Sequence, residues 1–108
     1  MNKKLEKIIS KLPQKLRITS KVSYELLYLL EFNDNKTLGE CRPNEKQIVV
    51  VSGQPTTELT KTYIHELLHA LSFEYNINLT EAQVQKLEVA IYNFLRLNKV
   101  FDLLSKLI

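Results

Sequence analysis

Two histidines and a glutamate are the residues of this sequence whose types and spacing could do chemistry together. His65, Glu66 and His69 form a His-Glu-x-x-His pattern, and both histidines of the chain fall within it. On a helix the two imidazoles would lie one turn apart on one face, where they could bind one Zn²⁺. Glu66 would lie about 100° round the helix from His65, where its carboxylate could act as a general base toward water. The pattern therefore indicates a hydrolytic metal site.

The third metal ligand is expected to be a carboxylate, because catalytic zinc usually takes three protein ligands and the chain has no further histidine. Glu74 would share the helix of His65 and lie too far along its axis. Glu81 would begin the next helix, where the helix dipole favours a carboxylate in any case. Glu88 would lie within an apolar stripe of that helix and needs a partner. We predict Glu88 as the third ligand, with Glu81 as the alternative.

Peptide hydrolysis also needs an oxyanion donor and a surface that holds the substrate. Three tyrosines are candidate oxyanion stabilisers, namely Tyr63, Tyr75 and Tyr92. A peptide could add as a strand to an exposed sheet edge. The segment 46–52 (KQIVVVS) is the candidate edge strand, and it fits a central strand equally well.

The elements that must position these residues follow from apolar periodicity and turn residues. The chain begins with an expected amphipathic helix over residues 2–12, with Leu5, Ile8, Ile9 and Leu12 on one face, and Pro13 ends it. Strands are expected over residues 15–20, 22–32, 38–41 and 46–52, although residues 24–32 fit a helix as well. These assignments place all strands before the motif.

Two helices are expected after the strands. Thr56 or Thr57 is predicted to cap a helix that carries the motif and ends near Tyr75. Thr80 and Gln83 match a capping box, which would open a second helix that ends near Leu97. We therefore predict an α+β domain in which helices pack on one face of a small antiparallel or mixed sheet.

Length and charge indicate one domain over residues 1–108, with a core at about 13–98 between a basic N-terminal helix and an apolar tail at 99–108. Residues 1–21 hold seven Lys or Arg and one Glu, but no aromatic residue on which bases could stack, so nucleic-acid binding is not expected. The apolar residues of the tail could pack on the domain or form a homodimer. They are Val100, Phe101, Leu103, Leu104, Leu107 and Ile108.

A cytoplasmic location is the simplest expectation. Cys41 is the single cysteine, so no internal disulfide can form. The first residues lack the unbroken apolar stretch and cleavage site of a secretory signal, and no apolar run is long enough to span a bilayer. We therefore expect a peptide or protein substrate within the cytosol and no membrane partner.

The chain resembles the zincin metallopeptidases of the gluzincin type, and within them the short predicted metallopeptidases encoded by bacteriophages and prophages. The resemblance covers roughly residues 12–98. It is carried by residues 12–18, Gly39-Glu40, residues 47–50, the motif run 64–71, and Leu79-Thr80-Glu81 with Val84, Leu87 and Tyr92. Only the His-Glu-x-x-His core of this set is highly specific.

The resemblance implies a zinc metallopeptidase with a small sheet, a motif helix and a following helix that brings the third ligand. It implies metal ligation by His65 and His69 and the general-base role for Glu66. Gluzincins place the third ligand roughly where Glu88 falls, whereas the short phage proteins more regularly keep a glutamate near Glu81. A phage origin would place the chain in the cytoplasm of a bacterial host. The alternative is a zinc-stabilised, non-catalytic binding or regulatory module of phage origin.

Overall fold

The computed structural model describes residues 15–99. The predicted N-terminal helix over residues 2–12 lies outside the described residues. The same holds for the apolar tail from residue 100 onward. Among residues 15–99, neither helix is long and apolar enough to cross a membrane.

Four strands form one mixed sheet, with β1 at Lys15–Arg17, β2 at Ser23–Leu29, β3 at Gly39–Arg42 and β4 at Gln47–Val51. Their order across the sheet is β1-β2-β4-β3. The β1–β2 and β3–β4 pairs are antiparallel, and the β2–β4 pair is parallel. Residues 24–29 therefore form a strand and not a helix. The α+β prediction with a mixed sheet is confirmed.

The position of β4 decides between the edge and central positions that the sequence leaves equally open. Residues 46–52 are a candidate edge by sequence, but β4 hydrogen-bonds to β2 on one side and to β3 on the other. Its side chains agree with an interior position, since Ile48, Val49 and Val50 are all 0% exposed. The edge beside β4 is β3.

Helix α1 (Thr56–Glu74) carries the motif, and helix α2 (Glu81–Asn98) follows it. The predicted cap of α1 by Thr56 or Thr57 is wrong. The chain reaches the helix through Pro55, which occupies the N-cap position in an extended conformation and offers no side-chain acceptor. The capping box of α2 is confirmed: the Gln83 N–H donates to Thr80 Oγ1 at 3.1 Å, and the Thr80 N–H donates to Gln83 Oε1 at 2.9 Å.

Helix α1 lies against one face of the sheet. The main core cluster joins Tyr24 and Leu26 of β2 and Ile48 and Val50 of β4 to Ala70 of α1. Helix α2 packs on α1 and not on the sheet, through a second contact of Ile64, Leu68 and Val84, with Leu79, Ile91, Tyr92 and Leu95 around it. The motif helix is thus held between the sheet and α2.

Candidate metal centre

The two motif histidines lie on the side of α1 that faces α2. Their ring centroids are 4.9 Å apart, and Nε2 of His65 lies 3.3 Å from Nε2 of His69. Two nitrogen ligands of a tetrahedral zinc ion, at about 2.0–2.1 Å each, would be about 3.3–3.4 Å apart. The spacing of the two Nε2 atoms therefore suits a shared ion.

Glu81 completes the group. One carboxylate oxygen lies 3.0 Å from Nε2 of His65, and the other lies 3.0 Å from Nε2 of His69. Glu81 is the first residue of α2, directly after the Thr80 cap. The capping box that begins the helix thus also places this carboxylate over the histidines. His65, His69 and Glu81 form a group that could hold a metal ion.

Glu88 contacts the other nitrogen of the same histidine. Its Oε1 lies 2.8 Å from Nδ1 of His65, and both side chains are largely buried. When Nδ1 carries the proton, its N–H donates a hydrogen bond to this carboxylate, and the lone pair of Nε2 then points toward His69 and Glu81. Glu81, the alternative in the sequence prediction, therefore belongs to the group that could hold a metal ion, whereas Glu88 contacts the other nitrogen of His65.

The nitrogen and oxygen atoms of this group that offer electron pairs are arranged as a bound cation would need them. With the proton of His65 on Nδ1, its Nε2 offers an electron pair toward Nε2 of His69 and toward the carboxylate of Glu81. A cation placed between these electron pairs would be stabilised by all of them. A proton on His69 would satisfy some of these atoms, and a divalent ion would satisfy all three. Two imidazoles and one carboxylate are a common protein ligand set for zinc.

Glu66 lies beside this group and is buried, with 8% of its surface exposed. Burial raises the pKa of its carboxyl to about 7, and the nearby charges of Glu81 and Glu40 act in the same direction. The electrostatic influence of His65 and, to a smaller extent, the hydrogen bond from the Cys41 backbone N–H oppose this shift. Near neutral pH the carboxyl is therefore able both to accept and to donate a proton.

Gly39 allows α1 to approach the edge strand closely at this point. A Cβ on Gly39 would lie 2.5 Å from Cγ2 of Thr62 and 3.1 Å from Cγ of Glu66. Thr62 has little freedom to move, because its hydroxyl donates to Oε1 of Gln54 at 2.9 Å. The missing side chain at residue 39 therefore brings β3 against the motif helix and contributes to the burial of Glu66.

Two open cavities flank the histidine and glutamate group. One, of about 720 Å³, runs past β3 toward the end of α1 and the connection to α2, and its lining includes Cys41, Phe73, Asn76 and Asn78. The other, of about 530 Å³, runs past the segment before β3, and its lining includes Lys36, Lys61 and Gln85. Gly39, His65, Glu66 and Glu81 line both cavities. The cluster therefore lies in the middle of a continuous cleft beside β3.

The three tyrosines predicted as oxyanion stabilisers lie elsewhere. Tyr63 packs in the core between α1 and the sheet, and burial raises its pKa. The hydroxyl of Tyr75 donates to the Ile18 carbonyl at 3.4 Å. The Tyr92 ring lies 5.2 Å from Nζ of Lys61. Within residues 15–99, none of the three lines either cavity.

Sequence reasoning missed the polar residues that do line the cleft. Lys61 precedes His65 by one helical turn, so spacing alone places it on the same side of α1. Asn76 and Asn78 both have left-handed backbone conformations, with φ of 56° and 62°. Asparagine adopts the left-handed backbone conformation more readily than most residues, so the Asn-x-Asn pattern indicates a turn between the two helices.

No family model matches the chain, and neither the comparison with curated proteins nor the comparison with solved structures found a similar protein.

Proposed function

We propose that this chain is a zinc-dependent peptidase in which His65, His69 and Glu81 bind the metal and Glu66 is the general base. The observation that carries the proposal is the position of Glu66. Its buried carboxyl, with a pKa near neutral, lies directly beside the three candidate ligands in the cleft. A structural metal site alone would not need an additional buried carboxyl at that place.

The proposed chemistry divides between the ion and the protein. Zinc, when bound, would polarise the scissile carbonyl and lower the pKa of a water molecule. Glu66 would take a proton from the attacking water and pass it to the leaving amine. Glu88 would hold His65 in the tautomer whose Nε2 is free to bind the ion.

A peptide substrate would lie along β3. The strand pairs with β4 on one side only, among the elements of residues 15–99. An extended peptide could therefore hydrogen-bond to the outer edge of β3, next to Glu66, with its side chains in the two flanking cavities. This role belongs to β3 because β4, the sequence candidate, is interior.

One observation favours the non-catalytic alternative. Among residues 15–99, the three tyrosines predicted to stabilise an oxyanion line neither cavity, so that function would fall to the ion or to polar groups such as Lys61, Asn76 and Asn78. If none of these can serve, the chain would be a metal-stabilised binding module.

The test measures zinc and cleavage separately. Zinc per chain is determined in protein purified without added metal, for the wild type, H65A, E66Q and E45Q, and each protein is incubated with a peptide library read by mass spectrometry. We expect about one zinc per chain, lost in H65A and kept in E66Q. Cleavage should fall by roughly 10²–10⁴-fold in E66Q. The exposed turn residue Glu45 provides the matched control and should change neither.

The possible results separate the two functions. Wild-type-like cleavage by E66Q would refute the general-base role. Bound zinc without cleavage of any library peptide would favour the binding module. Absence of zinc in the wild type, with no uptake on titration, would refute the metal site itself.

A further inference from the structure

The two halves of the cleft differ in the side chains that line them beyond the shared cluster. Three apolar side chains lie in the lining of the larger cavity, namely Pro43, Phe73 and Leu79. Within residues 15–99, the smaller cavity has one large apolar residue, Leu38, among charged side chains such as Glu58 and Lys61. The larger cavity is therefore the half that suits an apolar group of a ligand.

Phe73 brings this apolar surface close to the candidate ligands. It follows His69 by four residues on α1, so the two side chains lie on the same side of the helix with Cβ atoms about 5–6 Å apart. Phe73 is 49% exposed, although aromatic side chains gain much free energy from burial. A ligand that reaches the metal group can therefore also cover this ring.

The Phe73 ring is held in place by an anchored ammonium group. Nζ of Lys46 lies over the ring, 5.2 Å from its centroid. The same ammonium donates to Glu74, which also accepts a hydrogen bond from the Tyr24 hydroxyl at 2.6 Å. Tyr24 is fully buried in the main core cluster. These contacts connect the ring to the core, so a ligand that packs on it has less of the protein to order.

An exposed apolar residue carries no function by itself, because single ones are common on protein surfaces. Ile77 is such a residue: it is 54% exposed and lines neither cavity. Phe73 differs because it lines the cavity that contains the metal group. The volume of that cavity, about 720 Å³, is within the range of about 300–1,000 Å³ that is usual for ligand sites.

We propose that the larger cavity binds a large apolar side chain of the peptide substrate and that Phe73 determines this preference. The proposal rests on the proposed function, since it concerns the same cleft. Side chains on one face of an extended peptide are about 6–7 Å apart, which is close to the spacing between His69 and Phe73. The favoured side chain therefore belongs to a residue within about two positions of the scissile bond.

The test uses two synthetic peptide libraries of equal length that differ at one central position. This position is Leu in the first library and Ala in the second, and the other positions are randomised. Cleavage sites are mapped by mass spectrometry, and kcat/KM is measured for each library. We expect the wild type to cleave the Leu library at least about tenfold faster, at bonds within two positions of the Leu, because burial of the larger side chain stabilises the complex.

Variants of Phe73 decide whether this residue is the cause. Phe73→Ala should lower kcat/KM for the Leu library by about tenfold and for the Ala library by less than about twofold. Phe73→Leu keeps a large apolar side chain and should retain most of the preference. The matched control is Ile77→Ala, which removes an exposed apolar side chain outside the cavities and should change neither value by more than about twofold.

The outcomes separate this proposal from the peptidase function. Equal cleavage of the two libraries by the wild type, or equal losses in Phe73→Ala and Ile77→Ala, would overturn the proposal and leave the peptidase function intact. If neither library is cleaved, the peptidase function is refuted, and retention of the libraries on immobilised protein tests the subsite separately. Preferential retention of the Leu library by the wild type, but not by Phe73→Ala, would support the subsite, and equal retention would overturn it.

Discussion

Glu88 and Glu81 approach opposite sides of the same imidazole: Oε1 of Glu88 lies 2.8 Å from Nδ1 of His65, and Oε2 of Glu81 lies 3.0 Å from its Nε2. Only one of these nitrogens can face an ion shared with His69. The nitrogen that lies 3.3 Å from His69 is Nε2. The two carboxylates therefore have different expected roles, which substitution can separate.

The first prediction compares E81Q with E88Q. Loss of an orienting carboxylate should weaken zinc binding by about 10–100-fold, and loss of a ligand should weaken it more. E88Q should therefore bind zinc more tightly than E81Q in a competition titration with a chelator. The control is E58Q, because Glu58 is an exposed residue that lines the same cavity as Glu88. If E81Q bound zinc more tightly than E88Q, Glu88 and not Glu81 would be the third ligand.

The second prediction concerns the close approach of β3 to α1. Gly39→Ala places a methyl group against Thr62 and Glu66, and overpacking of this kind costs about 1–3 kcal/mol. We expect the free energy of unfolding, measured with urea on the zinc-free protein, to fall by this amount. Gly53→Ala is the matched control, because a Cβ there meets no atom within 4 Å. Equal midpoints for the two variants would show that the contact between residues 39 and 62 is not tight.

The third prediction concerns the cap that places Glu81. Thr80→Ala removes the acceptor for the Gln83 N–H and should cost about 0.5–2 kcal/mol of stability. It should also weaken zinc binding, since Glu81 is the next residue. Thr57→Ala at the start of α1, where no side-chain cap exists, should stay within about 0.5 kcal/mol of the wild type. Unchanged zinc affinity in Thr80→Ala would show that the cap is not needed to position Glu81 for metal binding.

The fourth prediction is that Glu74, the last residue of α1, makes the stability of the fold depend on pH. Glu74 accepts hydrogen bonds from the Lys46 ammonium and from the Tyr24 hydroxyl, which lower its pKa. A carboxyl whose pKa is lower in the folded state adds stability above its unfolded pKa of about 4.3 and loses it as pH falls through the folded value. The stability difference between wild type and E74Q should therefore be largest near pH 7 and shrink toward pH 3.

Thermal unfolding of the zinc-free proteins across that range measures the difference. Glu45→Gln, in the turn beside Lys46, is the control. Its stability difference from the wild type should change much less with pH than that of E74Q. If the difference between wild type and E74Q grew on acidification, the lowered pKa of Glu74 would be the wrong explanation.

Local sequence signals are sufficient for the parts of the structure that depend on neighbours in the chain. The apolar run of β4 and the capping box of Thr80 and Gln83 each predict an element that the structure contains, whereas residues 24–32, which include most of β2, fit a helix as well as a strand by sequence. The His-Glu-x-x-His pattern is also local, because a separation of four positions places His65 and His69 on one side of α1. These features depend on backbone periodicity alone.

The interior position of β4 could not be predicted in that way. β2 and β4 pair in parallel with β3 between them in sequence, and an apolar run does not reveal which strands will flank it. The choice between Glu81 and Glu88 is also non-local. It depends on the register between α1 and α2, which the connection at Asn76 and Asn78 sets through left-handed residues and the Leu79 N–H bond to Ser72 Oγ.

The contacts among the candidate ligands and the contacts that bury Glu66, the proposed general base, differ in the sequence separation that they span. Glu81 follows His69 by 12 residues, so the three candidate ligands can meet as soon as one helical hairpin forms. The surroundings of Glu66 are complete only after Gly39, on a strand that must first pair within the sheet, has closed over it. Under the proposed function, metal binding would therefore need only the helical hairpin, whereas the raised pKa of Glu66 would need the sheet as well.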